Sequence, residues 1–306
     1  MYTLKLKPAL KDYLWGGTRL KTEYKMETDL EKVAEAWVLS THKDGAGIVL
    51  NGELEGKTLT EAVAAFGTDC LGENGKKFSY FPILIKLIDA KDDLSVQVHP
   101  DDEYALRVEG EYGKTEMWYI VDCEEGATLY YGFKEEISKE QFRAKIADNT
   151  ITDVLNKVPV KKGDVFFIPS GTIHAIGKGI LIAEIQQNSN TTYRVSDYGR
   201  LGADGKPRPL HIDKAVEVTS LSKPPVQSDL PEGTLADCEY FNVKIFNTDE
   251  INQINVDNTS FSALLCLEGE VSFDGVTLKK GDCAFVPANK GEITFSGSAT
   301  IIESRV

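Results

Sequence analysis

The segment Val160-Lys-Lys-Gly-Asp-Val-Phe-Phe-Ile-Pro169 recurs as Leu278-Lys-Lys-Gly-Asp-Cys-Ala-Phe-Val-Pro287, displaced by 118 residues. In both copies a Gly-Asp turn leads into a short apolar run that ends at a proline, which is typical of a β-strand between turns. The repeat predicts two related β-barrels. Five residues after the proline, the first copy has His174 and the second has Glu292. We therefore expect the second barrel to lack metal ligands.

The rest of the chain also favours strands over helices. Apolar runs rich in Val, Ile, Phe and Tyr lie between turn residues at 80–88, 117–122, 165–169 and 180–185. Helices are predicted at 138–155, where Ser138 and Gln141 form a capping box, and at 58–66. These patterns predict a mainly β protein with a few helical insertions, whose two barrels are either antiparallel barrels or jelly rolls.

Proline and polar residues between the barrels indicate a linker at 222–236. It divides the chain into a metal-binding domain at 1–221, which includes the helical insertion 138–155, and a second barrel at 237–306.

Composition narrows the possible partners and locations. The 306 residues include 34 Lys+Arg and 48 Asp+Glu, a net charge of −14, which disfavours binding to nucleic acid or to an anionic membrane. We expect a soluble protein, because neither a signal peptide nor an apolar stretch of about 20 residues is present. Five cysteines without a C-x-x-C pair predict reduced thiols and a cytoplasmic location.

The segment Ser95-Val-Gln-Val-His-Pro100 has the two-residue period of a strand. That period places Ser95, Gln97 and His99 on one face and the two valines on the other. A polar inner face is costly unless its groups bind one another, water or an ion. The pattern therefore indicates a binding site inside the first barrel.

Three side chains in strand-like segments offer the ligands of a catalytic metal site: His99, Glu116 and His174. Two imidazoles and one carboxylate suit zinc or iron(II), with an open coordination position for water or substrate. The amide oxygen of Gln97 could be a fourth ligand. A lone histidine on a strand is more often a hydrogen-bonded core residue than a ligand, but two in matching contexts favour a metal site.

Basic residues near this candidate site indicate recognition of an anion. Arg194 and Arg200 lie in the polar segment Asn190-Thr-Thr-Tyr-Arg-Val-Ser-Asp-Tyr-Gly-Arg200, although such a segment could also be an ordinary solvated loop. In a protein of net negative charge, two guanidiniums beside a metal barrel favour binding of an oxyanion such as phosphate. Lys86 and Lys114 could add positive charge, and Lys114 would share the interior face of its strand with Glu116.

Several motifs in order closely resemble the type I phosphomannose isomerase (mannose-6-phosphate isomerase) family, in its shorter bacterial form, over essentially the whole chain. The motifs are Leu14-Trp15-Gly16-Gly17, Ala34-Glu35-Ala36-Trp37, Ser95-Val96-Gln97-Val98-His99-Pro100-Asp101, Gly113-Lys114-Thr115-Glu116-Met117, Pro169-Ser170-Gly171-Thr172-Ile173-His174-Ala175 and Tyr193-Arg194-Val195-Ser196-Asp197-Tyr198-Gly199-Arg200. The resemblance implies a cupin-type fold and interconversion of mannose 6-phosphate and fructose 6-phosphate. It also implies one zinc ion per chain, with a small sugar phosphate as the partner.

The resemblance implies roles for individual residues as well. Zinc would be bound by Gln97, His99, Glu116 and His174. Arg194 and Lys114 would be catalytic, and the substrate would contact Trp15, Glu35, Ser95 and Arg200. Isomerisation would pass through a cis-enediolate, with Lys114, Glu35, Asp197 or a metal-bound hydroxide as the possible base. The chain departs from longer family members at Thr115, where they have proline, and in lacking most of a helical domain.

Two other functions remain open from the sequence. His99, Glu116 and His174 also match the facial triad of a non-haem iron cupin dioxygenase. The chain could instead be a non-enzymatic sugar-binding cupin. The arginines argue against the dioxygenase, and the metal ligands would have no task in a storage protein. The oligomeric state is not predicted.

Overall fold

The computed structural model describes residues 1–202, 205–224 and 229–306. The strands are β1 Leu4–Lys7, β2 Ala9–Lys11, β3 Glu35–Leu39, β4 Ile48–Val49, β5 Ile83–Ala90, β6 Val96–Val98, β7 Glu116–Cys123, β8 Thr128–Phe133, β9 Leu155–Pro159, β10 Val165–Ile168, β11 His174–Ala175, β12 Ile180–Gln187, β13 Tyr193–Ser196, β14 Thr234–Asp237, β15 Asn242–Asn247, β16 Gln253–Val256, β17 Ser262–Phe273, β18 Val276–Lys279, β19 Cys283–Val286, β20 Gly291–Thr294 and β21 Ala299–Arg305. The α-helices are α1 Arg19–Thr22, α2 Leu59–Phe66, α3 Gly72–Gly75, α4 Asp102–Val108, α5 Lys139–Ala147 and α6 Ile212–Val218, and short 3₁₀ turns lie at Gly52–Leu54, Thr68–Leu71 and Ile151–Asp153. The prediction of a mainly β fold with few helices is confirmed.

Two sheets form the first barrel. One has the strand order β10-β7-β12-β5-β3-β2, and the other has the order β13-β6-β11-β8-β9. A core cluster with Trp118 and Ile182 from the first sheet and Leu129 from the second lies between them. The opposite face of the second sheet packs against α5 and α6, where Val96 and Val98 are fully buried. The alternation predicted for β6 therefore reflects two different environments, a helix-covered face and the barrel interior.

The second barrel contains a sheet of order β14-β15-β21-β17-β19-β1-β4, to which β18 adds through β17, and the strand pair β16-β20. A further core cluster joins this larger sheet to the outer face of β5, β7 and β12, with Ile85, Leu265 and Phe285 fully buried in it. The sheet containing β5 is thus covered on both faces. This explains why every residue of β5 and β12 is buried and why apolar residues predominate in both strands.

The two copies of the repeated segment form β10 and β19, as predicted, but they occupy different places. β10 lies at the end of its sheet, whereas β19 lies between β17 and β1. Because β1 and β4 join this sheet, the N-terminal strands differ from the predicted assignment of residues 1–221 to the first barrel alone. The register pairs Leu4 with Phe285 and Leu6 with Cys283. Residues 234–236 of the expected linker belong to β14, and residues 225–228 of that linker lie outside the described part of the chain.

The helix predicted at 138–155 is shorter than expected. Its capping box of Ser138 and Gln141 is present, but α5 ends at Ala147, and Asn149 takes a left-handed conformation with φ of 55°. Leu155 begins β9 instead. The helix predicted at 58–66 is confirmed as α2, with Thr58 as its cap. Of the helices described, none is both long and apolar enough to cross a membrane.

Candidate active site

Strand pairing brings three predicted site residues into one row. In the five-stranded sheet Gln97 pairs with His174 on one side and with Arg194 on the other. Directly opposed residues of neighbouring strands project to the same face. The row therefore extends from the predicted metal ligands to the predicted arginine, and it borders the barrel interior.

His99, Glu116 and His174 meet inside this barrel. One ligand atom from each lies within 4.8 Å of the others, and all three side chains are buried. His99 Nε2 lies 3.7 Å from Glu116 Oε2, and His174 Nε2 lies 3.4 Å from Glu116 Oε1. The two segments that carry the histidines and the strand that carries the glutamate belong to different sheets, so closure of the barrel creates the cluster.

Backbone contacts fix the tautomer of both histidines. His99 Nδ1 lies 2.8 Å from the carbonyl oxygen of Thr191, and His174 Nδ1 lies 2.9 Å from that of Thr172. A carbonyl oxygen only accepts, so each Nδ1 must carry the proton and each Nε2 presents a lone pair. Burial lowers the pKa of His99 and brings that of His174 to about 4, so both rings are neutral.

Both lone pairs face the Glu116 carboxylate, and the one on His99 Nε2 has no donor beside it. Within the described part of the chain, His99 Nε2 and Glu116 Oε1 have no hydrogen-bond partner, although both are fully buried. Such an arrangement is costly without a cation between the acceptors. Gln97 lies beside it, with its amide nitrogen 3.3 Å from His174 Nε2. Two imidazole nitrogens and a carboxylate therefore fit a divalent metal such as zinc, and the amide of Gln97 is within reach of the same place.

A chain of buried charges continues from the cluster along the six-stranded sheet. Lys114 Nζ lies 2.8 Å from Glu116 Oε2 and 3.7 Å from Glu184 Oε1. Lys86 Nζ lies 3.0 Å from Glu184 Oε1 and 3.8 Å from Glu35 Oε2. Carboxylates and ammonium groups thus alternate over five side chains that are at least nine-tenths buried.

Neighbouring charges determine which of these five buried side chains are ionised. Burial and the Glu184 carboxylate raise the pKa of Glu116 to about 7, against the opposing effect of Lys114. Burial also opposes ionisation of Glu184, but Lys114 and Lys86 together hold its pKa at about 2. Trp118 Nε1 donates a hydrogen bond of 2.9 Å to Glu184. Glu184 is therefore the carboxylate that fixes both lysines.

A cavity of about 280 Å³ opens beside these residues. Its lining includes six of the predicted site residues: Trp15, Glu35, Ser95, Gln97, Lys114 and Arg194. The others that line it are Tyr13, Lys86, Ile88, Leu94, Ile176, Glu184, Asn190, Thr192 and Arg208. Arg200 is not among them. A concave site with converging charged groups is the usual form of an active site.

Three arginines lie around a single carboxylate, and two of them, Arg194 and Arg208, line this cavity. Asp197 accepts two hydrogen bonds from Arg208, of 2.7 Å from Nε and 2.6 Å from Nη2, and one of 2.6 Å from Arg200 Nη2. Arg194 Nη1 donates to the carbonyl oxygen of Pro209 at 2.9 Å. We call Arg194, Asp197, Arg200 and Arg208 the arginine cluster.

Two residues of the site were missed from the sequence. Glu184 is the one acidic residue of β12, whose other seven residues are apolar or amide side chains. A single carboxylate in an otherwise uncharged strand indicates a buried partner, so the sequence of β12 was sufficient to single out Glu184. Arg208 gave no comparable signal, because its ion pair with Asp197 and its position in the cavity lining are tertiary contacts that no local pattern indicates.

Known proteins of one family are similar to this sequence along nearly its whole length. A profile described as "Phosphomannose isomerase type I, catalytic domain" matches residues 3–127, and one described as "Mannose-6-phosphate isomerase, cupin domain" matches residues 232–306. The mannose-6-phosphate isomerase ManA of Bacillus subtilis is 39% identical over 98% of both chains. The mannose-6-phosphate isomerase of Streptococcus mutans is 38% identical over 98% of this chain and 96% of its own.

Solved structures resemble the fold along its whole length. The mannose 6-phosphate isomerase of Bacillus subtilis superposes with a TM-score of 0.88 at 36% identity, covering 100% of both chains. A mannose 6-phosphate isomerase bound with zinc and yttrium superposes with a TM-score of 0.75 over 99% of both chains; at 18% identity it supports the fold alone. Identity of 39% across nearly the entire sequence, together with the two profile matches, shows that this chain belongs to the type I mannose-6-phosphate isomerase (phosphomannose isomerase) family.

Proposed function

We propose that this cavity interconverts mannose 6-phosphate and fructose 6-phosphate by proton transfer through a cis-enediolate, and that the reaction depends on a divalent metal, most favourably zinc. The observation that carries the proposal is the set of unpartnered acceptors on His99 and Glu116, next to a cavity with a cluster of arginines. The acceptors fit a cation. The arginines fit an anion, so the two features together suit a phosphorylated sugar.

The metal would be held by His99, Glu116 and His174, with Gln97 as the further ligand. When bound, a divalent ion would polarise the sugar carbonyl and stabilise negative charge on its oxygen. The hydrogen bonds from Nδ1 to the backbone hold both rings in the orientation that this requires.

Side chains of the cavity supply the remaining steps. Arg194 would stabilise charge that develops on the sugar oxygens, and Ser95, Trp15 and Glu35 would contact the sugar, since all four line the cavity. Lys114 and Glu35 also line the cavity, and either would serve as the acid or base group of the proton transfer. Asp197 is engaged by two arginines, which argues against its being the base.

A reconstitution experiment tests this proposal. The chain is treated with a chelator, reloaded with zinc, iron(II) or manganese, and assayed with mannose 6-phosphate by coupling fructose 6-phosphate to reduction of NADP. Zinc should restore the highest rate, and one ion should bind per chain. In D₂O, deuterium should enter the sugar at C1 or C2. Full retention of the original hydrogen would rule out the enediolate, and full activity without metal would rule out metal dependence.

The cytoplasmic location remains a prediction from the cysteines. All five cysteines are free in the structure, which is compatible with reduced thiols.

A further inference from the structure

The arginine cluster carries more positive charge than its own carboxylate can neutralise. It contains three guanidiniums and one carboxylate, so two positive charges remain. Arg194 is affected by this surplus: burial first, and then the Arg208 charge, lower its pKa. A net positive cluster in a protein of net −14, with Arg194 and Arg208 lining the cavity, suits a compensating anion.

The buried row of charges from Glu116 to Glu35 does not show this surplus. When all its groups are ionised, the three carboxylates of Glu35, Glu116 and Glu184 exceed the two ammonium groups of Lys86 and Lys114 by one negative charge. A divalent metal at the histidines would favour the ionised form of Glu116 and would leave this row and the metal with one positive charge. The two groups of charges are therefore suited to different parts of a substrate, a carbonyl group beside the metal site and a dianion beside Arg208.

Arg200 and Arg208 differ in how much of each guanidinium remains free. Arg200 uses both terminal nitrogens inside the protein, Nη1 on the carbonyl oxygen of Asp93 and Nη2 on Asp197. Arg208 pairs with Asp197 through Nε and Nη2, along one edge of its guanidinium. Its Nη1 makes no hydrogen bond to any residue that the structure describes, and Arg208 lines the cavity whereas Arg200 does not.

We propose that Arg208 is the residue of this cluster that binds the phosphate group of the sugar phosphate, and that Asp197 is the positioning residue that holds it there. The inference rests on the proposed function and reassigns to Arg208 the substrate contact predicted for Arg200. A phosphate monoester carries about 1.5 to 2 negative charges at pH 7, which matches the surplus of the cluster.

The side-on ion pair between Arg208 and Asp197 explains why phosphate binding by Arg208 needs this carboxylate. Without it, Arg208 would be repelled by Arg194 and Arg200 and would turn towards solvent. Asp197 is 5% exposed and accepts hydrogen bonds from both Arg200 and Arg208. It therefore fixes the plane of the Arg208 guanidinium. Arg200 then acts through Asp197, because it buttresses the carboxylate from the other side.

The test compares Arg208→Ala, Arg200→Ala, Asp197→Asn and a matched control, Arg143→Ala. Arg143 forms an ion pair with Asp213 on the exposed surface and is remote from the cavity lining. Two readouts are used: KM and kcat of the zinc-loaded enzyme for mannose 6-phosphate, and the dissociation constant of fructose 6-phosphate measured by calorimetry on chelator-treated protein.

Arg208→Ala should raise KM and the dissociation constant by on the order of 10–100-fold, as for loss of one charge-assisted hydrogen bond, with kcat changed less than threefold. Asp197→Asn should raise KM by a smaller factor, and it should add little to KM in the Arg208→Ala background, because its effect passes through Arg208. Arg200→Ala should have a smaller effect still, and Arg143→Ala none.

A change of less than threefold in both readouts for Arg208→Ala would overturn the assignment, as would a larger effect from Arg200→Ala. An additive effect of Asp197→Asn would overturn its positioning role. If the unmodified chain fails to convert mannose 6-phosphate with any metal, the proposed function fails. The calorimetric comparison would then still decide whether Arg208 binds the phosphate.

Discussion

Replacing Glu184 by glutamine would remove the charge that joins the two buried lysines while keeping the size of the side chain. Glu184 Oε1 lies 3.0 Å from Lys86 and 3.7 Å from Lys114. Removing one partner of a buried ion pair typically costs about 3–5 kcal/mol, because the other charge stays buried without compensation.

Several contacts would survive and reduce this cost. Lys86 keeps Glu35 at 3.8 Å, and Lys114 keeps Glu116 at 2.8 Å. The amide oxygen of a glutamine can still accept from Trp118 Nε1. We therefore expect Glu184→Gln to lower the free energy of unfolding by about 2–4 kcal/mol, which corresponds to a fall in melting temperature of roughly 4–8 °C.

A surface glutamate offers a matched control. Glu268 also lies between two lysines, 3.3 Å from Lys162 and 4.0 Å from Lys280, but its side chain is 49% exposed. Exposed pairs contribute roughly 0–1 kcal/mol, so Glu268→Gln should barely change stability. Both variants are unfolded in urea with a chelator present, which separates stability from metal binding. Equal losses in the two variants would refute the reasoning that burial makes the Glu184 charge important.

Three further predictions concern the site. His99→Ala should abolish zinc binding, measured by elemental analysis, and activity, while circular dichroism stays unchanged because two barrel cores hold the fold; global unfolding on chelation would contradict this. Arg194→Ala should lower kcat by on the order of 10²–10³ with zinc content unchanged, as for loss of one oxyanion donor; a raised KM at unchanged kcat would indicate ground-state binding instead. Arg208 and Arg200 hold the pKa of Asp197 below its ordinary 3.8 despite burial. Its ionised form therefore stabilises the fold fully above about pH 4, and this contribution is lost as the pH falls through the lowered pKa. The stability advantage of the parent chain over Asp197→Asn, measured by urea unfolding from pH 6 to pH 3, should shrink towards the acid end, and a constant difference would show that the charge of Asp197 is not responsible.

The sequence predicted side-chain orientation best in β6, where the two-residue period of a strand separates a face covered by helices from a face in the barrel interior. The alternation in β6 predicted correctly that Gln97 and His99 share a face, because Val96 and Val98 are needed under α5 and α6. A capping box likewise located the start of α5 at Ser138. Its end was misjudged, because Leu155 fits an apolar helical face as well as it fits the strand it forms.

Features that depend on distant pairing could not be read in this way. Glu184 and Lys86 are directly opposed across β12 and β5, almost one hundred positions apart in the chain, and nothing local marks them as partners. Arg200 and Arg208 both follow Asp197, and nothing in the local sequence indicates that Arg208 rather than Arg200 lines the cavity. Alternation predicts which face a side chain occupies, but not which side chain it meets.

The position of β1 next to β19 has a consequence for how the protein is made. Leu4–Lys7 emerges from the ribosome early, yet the strand with which it pairs, Cys283–Val286, is translated only after some 275 more residues. At roughly 5–20 residues per second this strand waits for many seconds with an open edge. Contacts so distant in sequence also slow folding. The second barrel therefore includes two strands, β1 and β4, from the N-terminal part of the sequence. An isolated fragment starting at residue 232 would lack both strands of its own sheet. The two sheets of the first barrel, in contrast, consist entirely of strands within residues 9–196. Expressing residues 232–306 alone should therefore not yield an intact second barrel, even though its boundary is easy to recognise in the sequence.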